Sequence, residues 1–165
     1  MSLIVEDGTG LNTAESFVSV AAASARQAAL GNTNWATLTN TEMEQALRRA
    51  TADKEQAYRS RWTGLRLNRL QALSWPRYGV VTDAFYADVN SVPSAVASAC
   101  ADLALKAAAG DLAQDLTRGV VREKVGSLET EYDRASPQAV RYRSIDMALA
   151  PYLNGSSAMA TLVRS

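Results

Sequence analysis

The stretch VPSAVASACADLALKAAAG, residues 92–110, reads as a helix and sets the class of the chain around it. Val96, Ala99, Cys100, Leu103 and Ala107 recur at the three- and four-residue spacing of one helical face. Alanines at 95, 97, 99, 101, 104, 107, 108 and 109 add propensity, because Ala loses no side-chain entropy in a helix. Pro93 suits a first turn, where its missing N–H would have had no partner. The helix is expected over about 92–117, bent or interrupted at Gly110. Side chains this small let a neighbouring helix approach closely, within the chain or between subunits.

N-terminal to it, two further helices are predicted. Between Ala14 and Leu30, the residues Phe17, Val20, Ala21, Ala25 and Ala28 keep helical spacing, with Asn12 or Thr13 as the cap and Gly31 as the stop. A connector with Trp35 as its anchor follows. Thr39-Asn40-Thr41-Glu42 has the spacing of a capping box, in which hydroxyl and carboxylate each answer a free backbone N–H. It opens a helix to about Arg61, with Met43, Leu47, Ala50, Ala57 and Tyr58 on one side, and Thr63-Gly64 breaks it. Residues 65–82 hold Trp75-Pro76, and proline restricts the residue before it, so at most a short helix is expected over 67–73.

C-terminal to the alanine-rich helix the period changes. VVREKVGSLETEY, residues 120–132, reads as a β-hairpin with a two-residue Gly126-Ser127 turn. In that register Val125 faces Leu128, Lys124 faces Glu129, Arg122 faces Glu131 and Val121 faces Tyr132. Val121, Val125, Leu128 and Tyr132 then share one face, an apolar hairpin interface, and opposite charges pair on the other. Ser144 caps a short helix bearing Ile145, Ala148, Leu149 and Tyr152, which Pro151 bends or ends. The predicted class is mainly α: a small helical bundle with one β-hairpin at about 120–132 and extended terminal arms. It forms one domain over 1–153, with an irregular N-terminal arm at 1–12 and a C-terminal tail at 154–165. A two-stranded ribbon is marginal alone, so the arm and the hairpin are expected to meet other protein surface, such as a neighbouring subunit.

Composition narrows the function. The 165 residues hold 17 basic and 17 acidic side chains, no histidine and one cysteine. Without histidine there is no Ser-His-Asp or Cys-His pair and no side chain that titrates near neutrality unless its pKa is shifted. One cysteine excludes an intramolecular disulfide and a multi-cysteine metal site, and Cys100 reads as a small buried apolar residue. Glu42/Glu44, Glu129/Glu131 and Asp111/Asp115 are the carboxylate pairs available for acid–base or metal chemistry. Capping accounts for Glu42, cross-strand partners account for Glu129 and Glu131, and no third ligand type stands near Asp111. No phosphate loop or nucleophile elbow is present. The expectation is no enzyme, no catalytic or metal residue and no cofactor. No run approaches bilayer length and the start carries acids rather than a basic leader, so a soluble protein of a reducing compartment, with no membrane partner, is expected.

The charges cancel in total but not in place. From Gln56 to Thr82 there is no acid, while Arg59, Arg61, Arg66, Arg69 and Arg77 fall there with Tyr58, Trp62, Trp75 and Tyr78. Three readings stand. The segment could be a solvated arginine face over a core holding the tryptophans, or a protein interface rich in hot-spot residue types. It could also be a single-strand-binding surface, with bases on rings and phosphates on guanidinium groups. For Trp62 and Trp75, core placement is the favoured reading.

The order of motifs adds a resemblance. LGNTNW (30–35) precedes the capped helix; RWTGLR (61–66) and QALSWPR (71–77) follow it. Next come the helix from Val92-Pro93, the Val-Gly-x-x-Glu hairpin, and LAPYL (149–153). Over nearly the whole length the chain resembles the small head–tail connector, or adaptor, proteins of tailed bacteriophages, a family often labelled DnaT-like single-stranded-DNA-binding. The resemblance implies a structural subunit made in the bacterial cytoplasm and placed in the virion neck. It would form a homo-oligomeric ring of about twelve beneath the portal protein, extend the channel for genomic double-stranded DNA without sequence-specific contact, and dock a stopper or tail-completion protein. It also implies that the C-terminal segment reaches into the portal. Arg59, Arg61, Arg66, Arg69, Arg77, Met159, Leu162 and Val163 are thus the candidate portal or subunit contacts. The alternative is a single-stranded-DNA-binding replication module using residues 58–78.

Overall fold

The computed structural model of the chain describes residues 2–112, 120–124, 129–132 and 142–154. Its helices are α1 (Val20–Ala29), α2 (Thr33–Ala36), α3 (Asn40–Tyr58), α4 (Ser94–Ala109) and α5 (Arg143–Leu149), the last running into a 3-10 turn at Ala150–Tyr152. Three antiparallel ribbons complete the described residues: β1–β2 (Leu65–Arg66 with Arg77–Tyr78), β3–β4 (Val81–Thr82 with Phe85–Tyr86) and β5–β6 (Val120–Lys124 with Glu129–Tyr132). The class is mainly α.

Helix α4 is the centre, with α1, α3 and α5 packed on it. Its stripe is buried as the spacing predicts: Val96, Ala99, Cys100, Leu103 and Ala107 are all inside. Ala101 and Ala104 are also fully buried, so α4 meets neighbours on more than one side. Burying these side chains at about 25 cal/mol per Å² of apolar surface is the main driving force for the bundle. Polar ties then fix the register. Arg26 of α1 grips Asp102 with two 2.8 Å bonds, and Gln27 donates to the Ala101 carbonyl at 2.9 Å. Thr51 of α3 lies 3.2 Å from the Cys100 sulfur, and the Lys54 ammonium donates to the Val96 carbonyl at 2.7 Å.

The capping box is present: the Thr39 hydroxyl accepts from Glu42 N–H, and the Glu42 carboxylate accepts from Thr39 N–H. Trp35 is buried on α2 and donates to the Ser24 hydroxyl at 3.0 Å. Other expectations need correction. Helix α1 begins at Val20, not near Ala14, because Ser19 caps it and Phe17 and Val18 are buried from an irregular segment instead. There Ile4 O accepts from Glu15 N and Ser16 N, and Ser16 bonds Val18. The arm before it is built around Glu6, whose buried carboxylate accepts from the N–H groups of Gly8, Gly10 and Leu11. It is pinned to its own chain by Ala72 N to Leu11 O at 2.9 Å and Asn68 Nδ2 to Gly10 O at 2.9 Å.

Residues 67–73 form no helix. Asn68 Oδ1 accepts from Leu70 N and Gln71 N, holding the backbone in a turn. Helix α4 stops at Ala109, where Gly110 departs from helical geometry. The β5–β6 ribbon pairs Lys124 with Glu129 and Arg122 with Glu131 as predicted, but a bulge sets Val120, not Val121, opposite Tyr132. Val125, Leu128 and the Gly126-Ser127 turn lie outside the described residues, as do Asp115, Met159, Leu162 and Val163. Helix α5 starts one residue before Ser144, with no side-chain cap, and Pro151 sits in the 3-10 turn that ends it.

Candidate interaction surface

The arginine-rich segment leaves α3 at Tyr58 and folds back over the bundle. Trp62 bridges antiparallel to Leu153, Thr63 N donates to Tyr152 O at 2.9 Å, and Asn154 N donates to Arg61 O. These bonds bring the rings into one chain of contacts: Tyr58 to Trp62 at 6.0 Å, Trp62 to Trp75 at 5.8 Å edge-on, and Trp75 to Tyr152 at 5.7 Å edge-on. Edge-to-face packing at these distances is favourable for aromatic pairs. Trp62 and Trp75 are both buried, so they are core and offer no face to a base. Their indole N–H groups, with Nε of Arg66, are buried without a partner among the described residues.

Two of the five arginines are used internally. Arg77 is 7% exposed; its guanidinium donates to the carbonyls of Thr63 (2.7 Å), Gly64 (2.7 Å) and Ser74 (3.1 Å). Burial, with Arg66 directly opposite across β1–β2, pushes its pKa down. Arg66 donates to Gln71 O and Leu73 O. Gln71, also buried, donates to Leu73 O and Pro76 O, and Glu55 holds Ser74 through its N–H and hydroxyl. The string QALSWPR is therefore a loop whose polar side chains satisfy its own backbone, with the Trp75–Pro76 peptide cis. Arg59 and Arg69 remain exposed, and Arg61 lies half-exposed 5.4 Å over the Tyr58 ring. None of these three takes part in an ion pair among the described residues.

Besides these arginines, the segment presents apolar side chains to solvent. Leu65 pairs across the ribbon with Tyr78, and Val81 with Tyr86, and all four are exposed. Tyr86 is 81% exposed and its neighbour Phe85 is 75% exposed, so side chains from both faces of β3–β4 stand in water. Beside Val81, Phe85 and Tyr86 the chain carries acids, Asp83 and Asp88, and residues 78–93 contain no Lys or Arg, whereas Leu65 and Tyr78 adjoin Arg66 and Arg77. Sequence reasoning misses this surface. Its signal is Val81-Thr82 and Phe85-Tyr86 separated by exactly two residues, hidden because Asp83-Ala84 is not the Asn-Gly or Asp-Gly expected of such a turn.

Glu42 caps α3 and Glu44 approaches Arg48 at 3.5 Å. Among the described residues no group of three or more His, Cys, Asp or Glu is placed to hold a metal ion, and no helix is long and apolar enough to cross a membrane. A search of curated proteins and one of solved structures gave no significant match. A family model described as "Putative DnaT-like ssDNA binding protein" matches residues 1–165, the whole chain, and the chain belongs to that family.

Proposed function

We propose that this chain is a structural assembly subunit, the head–tail adaptor of a tailed-phage virion. As such it forms a ring beneath the portal, extends the DNA channel and docks the stopper or tail. The adaptor identity rests on the motif order of the sequence. The observation that carries the assembly reading is the exchange of roles within 58–86. The tryptophans and Arg77 that would have made a stacking platform are spent on the core, while Tyr78, Val81, Phe85 and Tyr86 are left uncovered. Aromatic side chains in water beside acids suit a protein partner and disfavour phosphate.

The family's description favours a second reading, binding of single-stranded DNA. On this structure it would have to use Arg59, Arg61 and Arg69 rather than the buried pair. Fluorescence anisotropy of a labelled oligothymidine across a salt series separates the two. The adaptor reading expects no specific affinity and no change in the Arg59→Ala/Arg69→Ala variant. The DNA reading requires affinity that falls steeply with salt, with a slope reduced by about 0.7 per phosphate contact removed. That second result would overturn the adaptor reading.

A further inference from the structure

One face of the β3–β4 ribbon carries three kinds of group. Val81 and Tyr86 are direct cross-strand partners, so they share that face, and both are exposed. The ladder runs one pair further, through Ala87 N to Val80 O at 2.9 Å. Asp88 stands two residues beyond Tyr86, the spacing that returns a strand's side chains to one face. Its Oδ1 accepts from Asn90 N at 3.1 Å, and its Oδ2 has no partner among the described residues. An aliphatic group, an aromatic ring and a carboxylate together suit an arginine that has an aliphatic neighbour. A guanidinium is attracted to a ring face within about 6 Å of its centre, and it pairs with a carboxylate through two parallel N–H···O bonds.

The same chain carries that complement, exposed and unused. Residues 68–71 form a loop fixed by their own hydrogen bonds. Asn68 Oδ1 accepts from Leu70 N and Gln71 N at 2.8 Å each, and Gln71 Oε1 accepts from Asn68 N at 2.9 Å. Asn68 Nδ2 ties the loop to Gly10 O. A tip held in this way has little freedom left to lose on binding. At the tip stand Arg69, which is exposed and forms no ion pair among the described residues, and Leu70, which is 75% exposed. Arg59 is followed by Ser60 and Arg61 lies over Tyr58, so in this segment Arg69 is the arginine that joins a free guanidinium to an exposed aliphatic neighbour.

We propose that Arg69 and Leu70 of one copy dock on the Val81–Tyr86–Asp88 face of a second copy. Arg69 stacks on Tyr86 and pairs with Asp88, while Leu70 meets Val81. This rests on the assembly reading above and names a contact that serves it. Charge complementarity points to a second copy: the chain is neutral in total, yet these two opposite charges stand unpaired on separate projections. Among the described residues no ion pair or ring contact joins Arg69 to the ribbon of its own chain. Loop and ribbon are different sites, so the contact either closes reciprocally between two copies or repeats head to tail.

The test uses the full chain with Arg69→Glu, with Asp88→Arg, and with both changes together. Both positions are exposed, and circular dichroism checks that the folds match. Sedimentation over a concentration series, at low and at high salt, reads the association. The parent chain should self-associate, and less so at high salt. Each single reversal sets like charges face to face and should weaken association about tenfold or more. The double variant exchanges the two charges and should recover most of the parent affinity. If the parent chain assembles and both single variants assemble equally well, the contact is overturned while the assembly reading stands. If the double variant stays as weak as the single ones, the pairing of Arg69 with Asp88 is overturned. If the parent chain stays monomeric at every concentration, the contact is overturned, and binding to the purified portal protein then decides the assembly reading by itself.

Discussion

Lys54→Met is expected to stabilise the protein, and by an amount that depends on pH. Lys54 is fully buried in α3, its ammonium bonded to Val96 O and 5.4 Å from the Phe17 ring centre. Burial pushes its pKa down to about 8, against a partial pull upward from Cys100, Glu55 and Asp102. In an unfolded chain the amine titrates near 10.4. Between about pH 8 and 10.4 the unfolded chain therefore holds a proton that the folded chain has lost, and stability rises with pH. A tenfold change in proton affinity is worth about 1.4 kcal/mol, so the buried charge costs about 3 kcal/mol at pH 7 and almost nothing above pH 10.4. Methionine has similar length and no charge, and Val96 O lies inside α4, where a helical N–H can satisfy it. Lys54→Met should thus gain about 3 kcal/mol at pH 7 and lose that advantage as pH approaches 10.4. Above about pH 10 both proteins should weaken together. Burial, with the 2.6 Å bond to Asp146, raises the pKa of Tyr58, so the folded state keeps a proton that the unfolded chain releases. Urea unfolding followed by tryptophan fluorescence at a series of pH values measures both curves. Parallel curves between pH 8 and 10.4, or a variant less stable than the parent at pH 7, would refute the reasoning.

Two further substitutions test the local structure. Thr39→Ala removes the acceptor for Glu42 N–H and should cost about 1 kcal/mol of stability, read from the urea midpoint at unchanged slope. Gly64 has φ +65°, and a Cβ there would lie 2.4 Å from Tyr78 O, so Gly64→Ala should cost about 3 kcal/mol in the same assay.

The helices are legible in the sequence because each carries its own punctuation and period. Thr39 and Glu42 mark the start of α3, and the alanine stripe fixes which face of α4 is buried. Trp35 reads as an anchor from its place in a connector. The start of α1 is easily misread because Phe17 keeps helical spacing with Val20 and Ala21 while serving the core, with Val18, from an irregular segment. Residues 65–86 are hardest to read. Strands of two residues have no measurable period, and the acid-free run of arginines suggests an exposed cationic face. In the structure, Arg66 and Arg77 need no acids because backbone carbonyls are their partners, a pairing that leaves no trace in charge patterning. Phe85 and Tyr86 escape notice for a related reason: hydrophobic side chains are assumed buried, and only the three-dimensional fold reveals an uncovered pair.

The central claim is that this surface serves assembly. Its most direct measurement is the native mass of the purified chain, alone and mixed with the purified portal protein. The adaptor account predicts a defined multiple of the subunit mass bound to the portal ring. A chain that stays monomeric in both conditions and binds single-stranded DNA with a steep salt dependence would contradict it.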